Sequence, residues 1–510
     1  MLNSVCRSKI FEELTEEEKK EWFSLKEKAV RHHVDSLYYS VYISDDNMNN
    51  SDERILKLLS RLKELKDQKI NARDDNIDFF GLDVVLHGSI SGVYVYCLEL
   101  PEYFDIYIAQ NLPNDNTPRI HVQIRTQSLI VEGLKEAVLH SFNTVSEILD
   151  TYGLSVKDVV ENRIDYAFHT NAIQKPSEMF ADEKLNKHLD TSFVDGLKHF
   201  YLKRSKDKMI ELDYLALGNR KSNHLFFRIY DKGKEVIQMN YKAFFFKIWE
   251  ANGLISRYDR FCYEYAYEMK SANTGLLLGR IEWYLMYGSD RELKSKLRHL
   301  VETCNIRSDN NPRIESFIKG VLPPVTKILN FEYETRRSWY KRQEDWLLNC
   351  TRYVHEGPEA LRHLFQVLYA RPHYINRLTT DVVCFMEDRT DPDSKPLDFW
   401  RRIQRCKIDR WHYLAISKPY STYSRQFDKK RMKTRLLNTV ASLSIMLNDS
   451  TNERELGSDM WDIIGMINDN DVYDGNVRTL SNVRYRNLRR RKARQMRALV
   501  SDEDPGEEEQ

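Results

Sequence analysis

The sequence predicts an α+β protein whose antiparallel sheet occupies the middle of the chain, between an N-terminal helical segment and a largely helical C-terminal half. Three observations predict it. From about Ile77, short runs dense in Val, Tyr, Phe and Ile follow one another, separated by Gly, Pro and Asn, as strands joined by turns do. Before that stretch, and again beyond Thr274, apolar residues recur at three- and four-residue intervals, the spacing of helices with one buried face. At 510 residues the chain is also longer than one ordinary hydrophobic core supports, so two to four domains are expected.

In chain order, helices are expected from Phe11 to His33 and from Asp52 to Lys69, with the polar SDDNMNNSDE segment as the loop between them. The runs FFGLDVVLHGS, GVYVYCLEL, YFDIYIAQN and RIHVQIRTQSL read as strands. EGLKEAVLHSFNTVSEILDTYG reads as a helix stopped by Gly153, and VENRIDYAFHT as the next strand. MIELDYLALG, HLFFRIYDKG and ISRYDRFCYEYAYEMK complete the predicted sheet. GRIEWYLMYG, DRELKSKLRHLVETC and PEALRHLFQVLYARP then read as helices, broken at Pro323, Pro324 and DPDSKP. The expected organisation is a helical segment over 1–74, an α+β domain over 75–275, a helical domain over 276–475 and a flexible tail over 476–510.

Hydrophobic residues make up 41% of the chain and charged residues 30%, which excludes a disordered or fibrous protein. No run approaches the roughly 20 apolar residues of a membrane span, and no apolar signal core precedes the first acidic helix, so no membrane partner and a cytoplasmic location are expected. The seven cysteines are scattered without a C-x-x-C pair, which suggests neither a zinc site nor a disulfide framework. A net charge of +1 hides local blocks. RYRNLRRRKARQMR, from Arg484 to Arg497, precedes the acidic SDEDPGEEEQ, and LNFEYETRRSWYKRQEDW and FWRRIQRCKIDRWHYLAISKPYSTYSRQFDKKRMKTR mix aromatic with basic residues. Such segments serve either as solvated faces over helix cores or as nucleic-acid surfaces, where aromatics stack on bases and cations follow the backbone.

Chemistry concentrates in the predicted sheet. In NRIDYAFHT a period of two puts Arg163, Asp165, Ala167 and His169 on one face; in FCYEYAYEMK it groups Cys262, Glu264, Ala266 and Glu268. If those strands are neighbours, carboxylates and an imidazole converge in a set suited to Mg²⁺ or Mn²⁺. The same residues also fit a solvated sheet face with cross-strand ion pairs. Between them, LGNRKSNHLFFRIYDKGKE joins a turn of Gly218, Arg220, Lys221 and Ser222, suited to close approach of a phosphate, to a strand carrying Arg228, Tyr230 and Lys232. A phenol with a pKa near ~10 needs a neighbouring cation or a polarised phosphate to attack at neutral pH. Lys232 and Lys234 are placed to serve. The alternative for Tyr230 is an aromatic packed on its sheet.

The order of NRIDYAFHT, LGNRKSNHLFFRIYDKGKE and a following Glu-bearing strand resembles the Rep-trans family of rolling-circle replication initiators, which includes plasmid replication proteins and conjugative-element relaxases. The resemblance covers roughly residues 75–275, and the Tyr-Asp-Lys strand with its Gly-Asn-Arg-Lys-Ser turn is its most specific part. His169 stands where the family often has a second Asp, Cys262 where it has Arg, and Asn219 where it commonly has Ser. The resemblance implies a replication-initiator-type nuclease domain and a DNA-nicking endonuclease. In it, Tyr230 attacks a phosphate to form a covalent 5′-phosphotyrosine, with Tyr214 as the alternative nucleophile. It implies a divalent cation, Mg²⁺ or Mn²⁺, held by Asp165 and Glu264 with His169 or Glu268, and flanking phosphates held by Arg163, Arg220, Lys221 and Ser222. Arg228 or Lys232 would stabilise developing charge. The implied partner is origin DNA, single-stranded or cruciform, with a host helicase and a second copy of the chain as further partners. The competing expectation is a protein that binds an origin or operator without cutting.

Overall fold

The computed structural model describes residues 28–44, 52–71, 78–85, 93–100, 103–113, 117–193, 199–204, 210–220, 224–239, 242–288, 290–303, 311–318, 322–342 and 357–406, with a few helical positions beyond. The chain divides into two units, 1–421 and 422–510. In the second, the described positions Leu437, Val440, Ala441, Ser444 and Ile445 are helical and buried at the three- and four-residue spacing of one helix face.

The described part of the first unit begins with β1 (Val30–Ile43) and α1 (Glu53–Asn71). Next come β2 (Asp78–Phe79), β3 (Leu82–Val85), β4 (Tyr94–Leu100), β5 (Phe104–Ala109) and β6 (Ile120–Ile124). Helices α2 (Thr126–Val131) and α3 (Leu134–Thr151) lead into β7 (Val156–Thr170) and the short β8 (Leu189–Thr191). Strands β9 (His199–Arg204), β10 (Ile210–Leu217) and β11 (Leu225–Asp231) precede α4 (Lys232–Gln238), α5 (Phe244–Ala251), α6 (Arg257–Met269), α7 (Ala272–Tyr287), α8 (Arg291–Thr303) and α9 (Asn311–Ile318). Then follow β12 (Leu329–Arg336), α10 (Arg337–Lys341), α11 (Arg362–Tyr369), α12 (Arg371–Arg377), β13 (Val383–Phe385) and α13 (Asp398–Arg405).

Among the described residues, eleven strands form one sheet in the order β2-β3-β4-β5-β6-β1-β7-β12-β11-β10-β9, and every pair is antiparallel. This is the α+β antiparallel architecture expected, but the sheet draws strands from both sides of 75–275. The expected N-terminal helix runs through His33, whereas residues 30–43 form β1, paired with β6 and β7 at the centre of the sheet. VRHHVDSLYYSVYI is dense in β-branched and aromatic residues, and a strand buries both of its faces there. β12 lies in what reads as the helical C-terminal half, inserted between β7 and β11.

The third departure is α6. ISRYDRFCYEYAYEMK reads as a strand from its tyrosines, yet Arg257–Met269 is a helix. Ser256 caps it, with its hydroxyl accepting from the Asp259 backbone NH while the Asp259 carboxylate accepts from the Ser256 NH, a reciprocal cap that starts a helix. Tyr258, Cys262 and Ala266 then fall four residues apart on a buried face. Helix α7 packs there because Gly275 and Gly279 carry no side chain: a Cβ at Gly275 would lie 2.7 Å from Ala266 Cα. Tyr258, Phe261, Leu277, Ile281, Trp283 and Leu297 form the core of this helical part.

One face of the sheet is apolar. Leu37, Val122, Ile164, Phe168, Phe331 and Phe227 join α1, α3 and α11 residues in a single core, as alternate strand positions facing helices do. The other face carries the polar residues of β7, β11 and β12. That face holds the candidate site.

Candidate functional site

The pleat and the register assemble the site. On β7 the polar-face residues are Arg163, Asp165, Ala167 and His169; on β12 they are Arg336, Glu334, Glu332 and Asn330, paired with them in that order. On β11, Arg228 pairs with Glu332 and Tyr230 with Asn330. Three adjacent strands thus place carboxylates and guanidiniums side by side, within the span of cross-strand neighbours.

Tyr230 stands at the centre. Its hydroxyl donates to Glu332 Oε2 at 2.7 Å and accepts from Asn330 Nδ2 at 2.8 Å and Lys232 Nζ at 3.4 Å. Arg228 pairs with the other oxygen of Glu332, and its guanidinium lies over the Tyr230 ring at 4.9 Å. Burial, followed by the charges of Glu332 and Glu235, pushes the phenol well above its usual range, against the pull of Arg228. Tyr214, the alternative nucleophile, faces Tyr230 directly across β10 and β11.

Lys232 is fully buried at the first position of α4, where the strand gives way to a helix capped by Asp231. Its ammonium contacts Glu235 at 2.9 Å and Asp35 at 3.7 Å. Burial works against this charge, but Asp35, Glu235 and Glu332 outweigh it and hold Lys232 protonated above its usual range. Asp35 comes from a register shift in β1 between Val34 and Ser36, the kind of bulge that re-aims a side chain. It is further fixed by Thr126, whose hydroxyl donates to the Asp35 backbone carbonyl at 2.6 Å.

At the other end of the face, Arg163 holds Asp165 with two hydrogen bonds of 2.6 and 2.7 Å and reaches Glu334 at 3.0 Å. Burial is the main reason Asp165 is pushed up to about 7; Arg163 opposes the shift, and the charges of Glu332 and Glu334 add to it. Glu334 also accepts from Arg220 at 2.8 Å and Arg336 at 2.8 Å. Burial alone would raise Glu334, but Arg163, Arg336 and Arg220 together hold it below the usual carboxylate range. Arg220 is carried by the turn after Gly218, whose φ of 84° is the left-handed conformation that glycine adopts freely. Lys221 and Ser222 of that turn lie outside the described residues, as does the Arg484–Arg497 run.

Of the expected residues, the fold brings Arg163, Asp165, Arg220, Arg228, Tyr230 and Lys232 to one face. Glu264 is not among them. It lies on α6 beside Arg260 at 3.4 Å, because the capped helix replaces the expected strand, and Glu268 is exposed on the same helix. His169 is on the face but is walled off in an aromatic pocket, where its Nδ1 accepts from Trp249 Nε1 at 3.1 Å and the His33 and Phe245 rings lie 4.6 and 5.0 Å away. Burial first, then His33 and Lys232, lower its pKa well below the usual value and keep the ring neutral. The residues missed were Glu332, Glu334 and Asn330, with Arg336 on the same strand and Asp35 on β1. LNFEYE, from Leu329 to Glu334, alternates strictly between apolar and polar, the period-two signal that marks a half-buried strand.

Asp165, Glu332 and Glu334 are hard oxygen donors, the type that Mg²⁺ or Mn²⁺ prefers. As they stand they do not fit one. Both oxygens of Asp165 are taken by Arg163, those of Glu332 by Arg228, Tyr230 and Asn330, and those of Glu334 by Arg163, Arg220 and Arg336. Among the described residues no three His, Cys, Asp or Glu side chains are disposed to hold a metal ion, and none of the described helices is long and apolar enough to cross a membrane.

No family model matches the chain, and no curated protein matches it. Among solved structures, a rolling circle replication initiator protein from Geobacillus stearothermophilus is matched over 74% of this chain and 97% of that one, at 10% identity and a TM-score of 0.32. A similarity at that level assigns neither fold nor function; what the site does follows from its own geometry.

Proposed function

We propose that the chain is a DNA replication initiator that cuts and rejoins one strand through Tyr230. The observation that carries this reading is the triple coordination of the Tyr230 hydroxyl: a carboxylate placed to take its proton, and an ammonium and an amide placed to receive the negative charge left behind. A strand tyrosine packed for stability alone needs one such partner; this one has three, with Arg228 over its ring.

In the proposed step, Glu332 accepts the phenol proton as the Tyr230 oxygen forms a bond to a backbone phosphorus. The bond from that phosphorus to the 3′-oxygen of the preceding nucleotide breaks, and the released 3′-oxygen takes a proton from water. The phosphodiester becomes a 5′-phosphotyrosine and the 3′-hydroxyl is free to prime synthesis. Lys232 and Arg228 hold the phenolate and the developing charge on the phosphoryl oxygens. Return of the 3′-hydroxyl to the phosphotyrosine rejoins the strand without ATP. The residues present do not fit the divalent cation implied by the family resemblance, and these steps use the protein's own groups.

One observation favours a second reading, a protein that binds its origin without cutting: burial and the charges of Glu332, Glu235 and Asp35 hold the Tyr230 phenol protonated, which opposes attack. One experiment separates the two. The full-length chain and its Tyr230→Phe variant are incubated with labelled single-stranded DNA, with and without Mn²⁺, and resolved on a denaturing gel. A covalent adduct that disappears in the variant supports the nicking reading. An adduct that persists moves the nucleophile, with Tyr214→Phe next; no adduct under either condition, with DNA binding intact, supports the non-cutting reading.

A further inference from the structure

We propose that Glu334 is an internal stand-in for a DNA phosphate, holding Arg220 and Arg336, with Arg163 behind them, as a clamp whose two outer guanidiniums receive a phosphodiester of single-stranded DNA. This rests on the DNA-acting reading and adds to it a role for two residues, Arg336 and Glu334, and a competition built into the site.

Three guanidiniums converge on one carboxylate. Arg336 reaches Glu334 Oε1 with Nη2 at 2.8 Å and Nε at 3.2 Å, while Arg220 Nε at 2.8 Å and Arg163 Nη2 at 3.0 Å meet at Oε2. Carboxylate and phosphate present the same pair of anionic oxygens to the guanidinium fork, so a site shaped around one suits the other. The layering is what makes exchange feasible. The Glu334 side chain is 2% exposed, whereas those of Arg220 and Arg336 are 48% and 36% exposed. The anion lies at the bottom and the cations at the rim, where a DNA strand meets them first.

The rim is also preset. Arg336 Nη2 donates to the Arg220 backbone carbonyl at 2.5 Å, which ties the end of β12 to the turn after β10 and anchors the Arg336 guanidinium on that turn. Little side-chain freedom is then left to lose on binding. Arg163 is committed elsewhere: it holds Asp165 with two bonds and stacks 5.0 Å from the Tyr38 ring. A phosphodiester therefore draws on Arg220 and Arg336, and Glu334 retains Arg163. Glu334 and DNA compete for the same donors, so the carboxylate limits affinity for any strand that offers too few phosphates to displace it.

The test is binding of a fluorescent single-stranded oligonucleotide by the full-length chain in a Tyr230→Phe background, followed by anisotropy across a salt series. Glu334→Gln is expected to bind about tenfold tighter, with a salt slope steeper by about one, because removing the competing carboxylate leaves one more positive charge of the Arg220–Arg336 pair for a phosphate. Arg336→Ala is expected to bind about tenfold more weakly, with a slope shallower by about one. Unchanged or weaker binding by a folded Glu334→Gln overturns the proposal. If that variant does not fold, Arg336→Ala decides: an unchanged affinity and slope overturn the proposal and make the cluster a structural knot. A chain that forms no tyrosine adduct yet shows both shifts loses the nicking reading and keeps the clamp.

Discussion

Tyr230 and Glu332 meet diagonally across two strands. The register sets Tyr230 against Asn330 and Arg228 against Glu332, so the phenol reaches back by one pair to its carboxylate, 2.7 Å away. A direct cross-strand pair would have set the phenol against the Asn330 amide alone. The diagonal leaves Glu332 shared between the Arg228 guanidinium at one oxygen and the Tyr230 hydroxyl at the other, and that sharing is the basis of the first prediction.

Glu332→Gln keeps the shape and a hydrogen bond to the phenol but removes the base. The rate of adduct formation in a single turnover should fall by about 10²- to 10⁴-fold, the usual share of general-base catalysis, while affinity for the oligonucleotide stays within a few-fold. A rate that survives the substitution would assign the proton to another acceptor.

Asp165 makes stability depend on pH. Its folded-state pKa, about 7, lies above the ordinary 3.8, so the stability that the protonated group contributes is fully present below pH 3.8 and is lost as pH rises through 7. Asp165→Asn should flatten the fall in urea-unfolding stability across that window. If the profiles of wild type and variant stay parallel, the carboxylate is ionised throughout.

A divalent cation has to displace an arginine before it finds a free oxygen on these carboxylates. Mn²⁺, or its removal with EDTA, should therefore shift the melting temperature of the wild type little. Arg163→Ala, which releases both oxygens of Asp165, should acquire an Mn²⁺-dependent rise in melting temperature. The same rise in the wild type would show that the carboxylates rearrange around an ion unaided.

Gly275→Ala tests the seat of α7 on α6. The added Cβ would meet the Ala266 Cα at 2.7 Å, a backbone atom that cannot swing aside, and the helices must separate. A loss of about 1–3 kcal/mol in urea unfolding is expected, typical of overpacking. Gly253→Ala is a poor control, since its φ of 70° adds strain of a different origin; Gly457→Ala, with nothing within 4 Å of the added atom, is the better one.

The sheet was legible in the sequence wherever strands were short and bounded by turns, as with β4, β5, β6, β10 and β11, because β-branched and aromatic runs between Gly and Asn have few other outcomes. The placing of Arg228 and Tyr230 on a strand was legible for the same reason, whereas Lys232, expected on that strand, starts the helix capped by Asp231. What misled was aromatic content. Tyr263, Tyr265 and Tyr267 alternate as a strand would, yet the Ser256–Asp259 cap and the glycines of α7 favour a helix, and the acid expected from that strand went with them. In β12 the error ran the other way. Its alternation of Leu329, Phe331 and Tyr333 with Asn330, Glu332 and Glu334 was absorbed into the helical pattern that follows, and strand pairing across some 160 residues leaves no local trace. The bulge that delivers Asp35 and the aromatic wall around His169 are likewise tertiary facts.

The insertion of β12 between β7 and β11 has a bearing on the order in which the protein is made. Ribosomes release chains from the N-terminus, and Tyr230 emerges about a hundred residues ahead of Glu332. Until residues 329–336 leave the exit tunnel, β7 and β11 have no common neighbour, and pairings so distant in sequence are slow to form. The nascent protein thus carries Tyr230 without Glu332, and Arg220 without Glu334 or Arg336, and the proposed function predicts that a product truncated before Leu329 would not cut. The cutting chemistry proposed for this chain would switch on as β12 slots into place.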